Sequence, residues 1–282
     1  MRHLLMLLPI FFLTTSLAEA SLSIPSKIEN IDLNIKDHEA ALTFFGLSTG
    51  ESTLIQGQNG ENILVNAGGK GTMKELEGWL FLYNVKKIST LILTNNRMEI
   101  SDKQINQLIL KYNIKEIIAT PQLSAQLAKN LEAKSKTAVV SWGEGTKKVI
   151  LPELTLVVEF VGNEQNEGMD LTLQFFMHRI FLMSSYSLRA EQRLLTKNIK
   201  DAHIFKIPSG KIEDSLSEKL IQYVNPQISF LFTAKDQHTD QNILHELYDT
   251  WSEVYFANRH GTVTIKFTDS TYEVLTIPDL GR

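Results

Sequence analysis

The ten residues Leu91-Ile92-Leu93-Thr94-Asn95-Asn96-Arg97-Met98-Glu99-Ile100 decide how the rest of the chain reads. Three aliphatic residues in a row have the pattern of a buried strand. They lead directly into Thr94 and a short polar turn, the shape of a metal-binding loop without its ligands. A catalytic divalent metal needs several imidazole and carboxylate donors converging on one point. Here Asn95 is a poor donor, Ile100 is none, and Arg97 is a permanent cation. Glu99 alone is a strong donor.

Upstream of this loop the pattern is strands, then a helix. Strands are predicted over 41–47, 52–56 and 62–66, with Asn59-Gly60 as the tight turn of a hairpin. Glycines follow at Gly68, Gly69 and Gly71, and residues 73–83 carry helical spacing (Met73, Leu76, Leu80, Tyr83) into a strand over 88–93. Downstream, a helix is expected over 102–112 and a strand over 114–119 closed by Pro121. A further helix is read over 124–131, with Ser124 as its cap. The turn-rich Trp142-Gly143-Glu144-Gly145 precedes strands over 149–151 and 154–160. The second half repeats the theme: a hairpin over 171–177 and 179–183, a helix over 188–196 and a strand over 202–207. A helix over 216–224, a strand over 228–232, a helix over 243–251 and strands over 254–256, 262–267 and 272–277 complete it. Strand pairs alternating with helix–strand units in both halves predict an α/β (α+β) chain folded as a four-layer αββα sandwich. Phe44, Phe45, Phe175, Phe176, Phe230 and Phe232 are expected in its core.

The 282 residues carry a formal net charge of −4 and no cysteine. The length suits one domain with a substantial core. The acidic balance argues against nucleic acid as a partner. Absence of cysteine excludes disulfides, thiolate ligands, a Cys nucleophile and a lipobox-type anchor. Residues 1–20 have the layout of a secretory signal peptide: Arg2 and His3, an apolar run over 4–13, then Ala18-Glu19-Ala20 as an A-x-A cleavage site. The apolar run is shorter than the roughly 20 residues a bilayer requires. The organisation expected is therefore signal peptide 1–20, an N-terminal arm 21–40 containing Pro25, and a single domain 41–282. The mature chain is expected to be periplasmic or secreted, with no membrane span.

With that order in hand the chain resembles the metallo-β-lactamase superfamily, and most of all the hydrolase domain of ComEC-type DNA-uptake competence proteins, from about residue 42 to 274. The family opening Phe-Leu-Asp-Val-Gly-Gln-Gly-Asp-Ser is similar to residues 44–52, ending Gly50-Glu51-Ser52. Its Ile-Leu-Ile-Asp-x-Gly-Gly is similar to residues 63–69, with Asn66 at the Asp. Its Thr-His-x-His-x-Asp-His falls on residues 94–100, which puts Asn95 and Arg97 at the first two histidines and Glu99 and Ile100 at the Asp and last His. Tyr186 falls on the metal-bridging Asp of Leu-x-Thr-Gly-Asp, and Ser209 on a His of Lys-Val-x-His-His-Gly-Ser, whose Lys is Lys206. His238 falls on the late Gly-His-Pro histidine. The resemblance thus implies a metallo-hydrolase framework stripped of its ligands. Asn66, Asn95, Arg97, Glu99, Tyr186, Ser209 and His238 would line a vestigial cleft.

Other chemistry is thinner. Ser209, His238 and Glu99 could be drawn as a triad, but no Gly-x-Ser-x-Gly elbow accompanies them. Gly68-Gly69-Lys70-Gly71-Thr72 hints at a phosphate loop without its full spacing, so a strand-to-helix turn is the safer reading. His178 and His260 read as turn residues, and His203 as the start of a strand. His238 and His245 could share a helix face.

The expectation is an exported, non-catalytic chain, with no catalytic residue, metal or cofactor, whose cleft takes an unknown ligand or an envelope protein partner. The competing expectation is a metal-dependent hydrolase with zinc or manganese in an atypical site, acting on phosphodiesters or nucleic acid. The leader is directly testable: intact-mass measurement of the protein from an exporting host should give a chain beginning at Ser21. A chain that retains Met1 would count against export by cleavage.

Overall fold

The computed structural model describes residues 30–96, 99–131, 136–164, 166–208, 216–232 and 240–278. The chain first builds one sheet from β1 (Ala40–Phe44), β2 (Thr53–Gln56), β3 (Asn62–Val65), β4 (Thr90–Leu93), β5 (Glu116–Ala119) and β6 (Ala138–Ser141). Helices α1 (Met73–Leu82), α2 (Asp102–Tyr112) and α3 (Pro121–Asn130) connect β3 through β6. A second sheet follows, from β7 (Lys147–Leu151), β8 (Leu154–Val161), β9 (Met169–Phe175), β10 (His178–Leu182), β11 (Ile204–Ile207), β12 (Ile228–Leu231) and β13 (Glu253–Phe256). Helices α4 (Leu188–Leu194), α5 (Glu218–Val224) and α6 (Gln241–Asp249) lie between β10 and β13. After the short α7 (Ala257–His260) the chain returns to the first sheet as β14 (Thr262–Phe267) and β15 (Tyr272–Ile277).

The first sheet has the order β15-β14-β1-β2-β3-β4-β5-β6 and the second β13-β12-β11-β10-β9-β8-β7. β3 to β6 run parallel, as do β10 to β13. Parallel neighbours need a crossover, and the helices supply it. Three apolar layers result. Leu42, Phe44, Ile63 and Ile92 of the first sheet meet Leu156, Leu171, Ile204 and Phe230 of the second in a core between the sheets. Leu64 and Leu91 turn the other way, onto Leu76, Leu80, Ile105 and Leu108 of α1 and α2. Phe181 and Phe205 do the same toward Leu194, Leu220 and Leu247 of α4, α5 and α6. The predicted αββα sandwich is the observed architecture, and Phe44 stacked on Phe230 at 4.3 Å joins its inner faces.

Local chemistry explains where elements start. Ser101 and Gln104 form a reciprocal capping box on α2, which ends at Asn113 in the left-handed conformation. α3 begins at Pro121, with the Thr120 hydroxyl accepting from the Leu123 amide. The helix thus starts three residues before the expected Ser124, and Pro121 opens it rather than closing the strand. Proline fits the first helical turn because its missing N–H has no partner there. β6 was not anticipated; its residues are half-exposed at a sheet edge and lack the buried-strand signature. Phe176 was expected in the core, but it sits 40% exposed in the β9–β10 turn at φ 46°. His178, read as a turn residue, is the first residue of β10 and buried.

The arm over residues 31–35 alternates half-buried Ile31, Leu33 and Ile35 with exposed Asp32 and Asn34. It is anchored by the Ile31 amide on the Leu82 carbonyl at 2.7 Å. No helix among the described residues is long and apolar enough to cross a membrane.

Candidate functional site

In open parallel sheets, ligands sit beyond the carboxyl ends of the strands. Here those ends belong to β3 and β4 in one sheet and to β10 and β11 in the other, and the chain closes them with side chains. Asn66, one residue past β3, holds a left-handed backbone at φ 58°, which Asn tolerates better than most residues. Its Oδ1 accepts from the Thr94 amide at 2.9 Å, and its Nδ2 donates to the Thr94 hydroxyl at 2.9 Å. The Ser184 hydroxyl, just past β10, donates to the same Thr94 oxygen at 2.8 Å. The Thr94 carbonyl accepts from the Met169 amide at 2.7 Å, and Asn95 bridges to Gly168. Gly168 permits this crossing, because a Cβ there would strike the Thr94 carbonyl and the Ser184 side chain. The loop after β4 is thus sewn to the second sheet through backbone and hydroxyl groups.

Beyond that seam Asn95 Nδ2 donates to Glu99 Oε1 at 2.7 Å. Asn66, Asn95, Glu99 and Ile100 line a pocket of ≈ 20 Å³, room for about one water. Glu99 is exposed as a residue, yet its carboxyl forms part of the pocket wall. Burial there, reinforced by the charge of Glu51, pushes its pKa up to about 7, against the pull of Lys206 and the Asn95 bond. Ile100 is buried among the helix-side residues Leu93 and Ile105. Arg97 lies outside the described residues, as do Ser209 and His238, so the notional triad and the shared face of His238 and His245 have no geometry to report. Tyr186 goes elsewhere: its amide donates to Asn166, and its half-buried ring packs with the helix-side cluster of the second sheet. Ser184 is the side chain from that turn that reaches Thr94.

Two further charged residues, not among the candidates, dominate the interior of this end. Glu51, in the β1–β2 loop, and Lys206, in β11, form an ion pair at 6% and 4% exposure. Lys206 also donates to the Met183 carbonyl at 2.9 Å and lies 5.7 Å over the Phe232 ring. Asp170 is fully buried; its Oδ1 accepts from the Ser184 and Ser185 amides at 2.6 and 2.9 Å, while Oδ2 has no hydrogen-bond partner. Burial raises its pKa to about 6 against those two amides and the Lys206 charge. Glu51 and Lys206 are absent from the residues expected to line the cleft. The signal was a Glu in a Gly-Glu-Ser turn and a Lys inside an apolar strand.

The Gly68–Thr72 turn is not an anion cradle. The Gly68 amide donates to Glu51 O, and the Gly69 amide to Thr49 O and to the Thr72 hydroxyl. The remaining histidines lie apart. His178 and His203 pack edge to face at 5.3 Å at the N-terminal ends of β10 and β11, His245 is exposed beside Asp249, and His260 accepts from the Phe256 amide.

No family model matches the sequence, and no curated protein sequence matches it. Solved structures do. The metallo-β-lactamase fold protein YhfI from Bacillus subtilis superposes with a TM-score of 0.56 at 12% identity, covering 84% of this chain and 99% of that one. A diphosphatase from the PhnP family gives 0.52 at 10% identity, covering 85% and 99%. CmlA, a diiron β-hydroxylase from Streptomyces venezuelae, gives 0.55 at 11% identity, covering 86% of this chain and 55% of that one. This chain has the metallo-β-lactamase fold.

That fold implies a divalent metal at the strand ends just described, and the donors among the described residues there do not fit one. Asn66 is consumed by Thr94, Ile100 faces the core, and Glu51 is neutralised by Lys206. Asp170 is sealed beneath the Ser184–Ser185 turn. Among the described residues no three His, Cys, Asp or Glu side chains come close enough to hold a metal. No step can be derived through one.

Two outcomes follow for the metallo-β-lactamase-fold interior. Lys206→Met strands a buried carboxylate and should cost about 3–5 kcal/mol in urea unfolding. Adding Glu51→Leu should restore most of that loss. For Asp170, the folded protein binds its proton more tightly than the unfolded chain does. The contribution of Asp170 to stability is therefore fully present below the ordinary Asp range and is lost as pH rises through about 6. Asp170→Asn should raise the melting temperature at pH 7.5 and leave it unchanged at pH 3.5.

Proposed function

We propose that this chain is an exported, non-catalytic member of the metallo-β-lactamase fold, and that the closed strand ends serve as a surface for a small ligand or an envelope protein. One observation carries the reading: at the strand ends where a metal would sit, Asn66, Thr94 and Ser184 are hydrogen-bonded to one another and Asn95 to Glu99. Polar groups paired in this way would have to give up a hydrogen bond before coordinating a metal. The ComEC-type motif pattern supports the same reading from another side. Its framework positions keep their character in Gly50, Glu51, Ser52, Gly68, Gly69 and Lys206, whereas its ligand positions hold Asn95, Arg97, Glu99, Ile100, Tyr186 and Ser209, with His238 the one histidine that persists.

The rival is a hydrolase using zinc or manganese in an atypical site, and it has one observation in its favour. Glu99 has a pKa near 7, a value at which a carboxylate can serve as a general base. Elemental analysis and turnover decide between the two. The protein purified without chelator should carry well under one equivalent of zinc or manganese. It should hydrolyse bis(p-nitrophenyl) phosphate, single-stranded DNA and nitrocefin no faster than buffer, with or without either metal added. Stoichiometric metal, or turnover abolished by Glu99→Ala, would overturn the proposal.

A further inference from the structure

Four strands end the two sheets: β15 and β6 the first, β13 and β7 the second. An edge strand leaves one row of backbone N–H and C=O groups open to pairing with another chain, and proteins guard against this with short edges, charges, prolines or bulges. Three of the four edges here are guarded. β6 and β13 are only four residues long, and β13 opens on Glu253. β7 carries Lys147 and Lys148 and a register shift between Val149 and Leu151. β15 is not guarded in any of these ways. All six of its residues, from Tyr272 to Ile277, pair with β14 in unbroken register. Glu273 is its sole charge, and Leu275 is 43% exposed. The open groups can be assigned. At the hairpin turn the Thr268 amide donates to the Thr271 carbonyl at 2.8 Å. Hydrogen-bonded and non-hydrogen-bonded pairs alternate from there, so Glu273, Leu275 and Ile277 turn their amides and carbonyls toward β14. Tyr272, Val274 and Thr276 turn theirs outward, where none has a hydrogen-bond partner among the described residues.

We infer that β15 is a homodimer interface: two copies of the chain pair antiparallel along this edge and join their first sheets into one. An extended strand supplies donors and acceptors at the spacing the open groups require, and a second copy presents a strand that matches its own image. A two-fold axis perpendicular to the sheet keeps inner face beside inner face. Tyr272 and Val274, packed on the core between the sheets, therefore stay on the core side of both copies. With the axis at Val274 or at Leu275, outward-facing groups meet outward-facing groups. Glu273 then falls opposite Leu275 or Ile277 of the second copy, so no like charges are set against each other, an arrangement that would destabilise the pairing. The axis at Leu275 also buries the two exposed Leu275 side chains on one another.

Sedimentation of the purified chain at about 1 and about 100 µM should bracket a monomer–dimer equilibrium with a Kd on the order of 10 µM. Hydrogen exchange should slow at the higher concentration for the amides of Tyr272, Val274 and Thr276, while those of Glu273 and Leu275 are slow at both. Leu275→Lys places a charge on the edge, and Thr276→Pro removes an outward amide at an exposed position. Each should raise the Kd about tenfold or more and leave the melting temperature of the monomer unchanged. Val149→Lys, on the edge of the other sheet, should leave the Kd as it was. The inference falls if the chain is monomeric at about 100 µM, including a monomer whose outward amides exchange slowly at both concentrations because its own chain covers the edge. It falls equally if a dimer forms that Leu275→Lys does not weaken, or that Val149→Lys does.

Discussion

The buried ion pair between Glu51 and Lys206 is the constraint on which the site end of this molecule depends. Glu51 arrives on the β1–β2 loop of the first sheet and Lys206 on β11 of the second, so their contact joins the two sheets where no strand pairing does. Taking both charges out of water is costly, and their attraction offsets that cost only with good geometry and additional hydrogen bonds. The structure supplies one on the lysine side, where the Lys206 ammonium donates to the Met183 carbonyl. The Glu51 backbone carbonyl accepts from the Gly68 amide, which holds the loop in place. The loop reaches this position because Gly50, at φ 71°, lies against the Gly68–Gly69 backbone, where a Cβ would collide with the Gly69 amide.

Around that pair the chain has converted polar strand ends into internal structure. Asn offers a donor and an acceptor on one short side chain, and Asn66 uses both on Thr94. A carboxylate at that position could accept from the Thr94 amide but could not donate to its hydroxyl. Ser184 then completes the Thr94 oxygen from the opposite sheet. The amides and hydroxyls at these strand ends satisfy one another without an external cation. The two carboxyls that remain close by, Asp170 and Glu99, show what that leaves behind. With Lys206 the only described cation acting on both, burial moves each pKa upward. The mouth is left with a carboxyl that changes charge near neutrality and a pocket the size of a water.

Legibility varied with the kind of signal. The buried run Leu91 to Leu93, the helical spacing from Met73 to Tyr83 and the strand from Thr262 to Phe267 all matched elements of the structure, because long apolar periodicity survives tertiary context. Errors gathered where local chemistry is two-sided. Pro121 can end a strand or open a helix, and the Thr120 hydroxyl decided for the helix. Phe176 looks like core by composition but occupies a hairpin turn with a left-handed backbone. His178 resembles a turn residue until the β9–β10 pairing buries it. β6 escaped because a half-exposed edge strand carries little hydrophobic pattern.

The sequence by itself determined the layering, since the alternation of strand pairs with helix–strand units leaves few ways to bury both sheet faces. It also marked the loop over residues 94–100 as chemically unlike a metal site, because ligand chemistry is a property of residue type. Tertiary structure alone decided what those residues do instead. That Asn66 serves Thr94, that Tyr186 turns toward the helices while Ser184 takes its place, and that Glu51 finds Lys206 all depend on strand ends separated by 28 to 155 positions in the chain meeting at one edge. Pairwise geometry across two sheets is not encoded in any local stretch; it appears only when both sheets have closed on their common core.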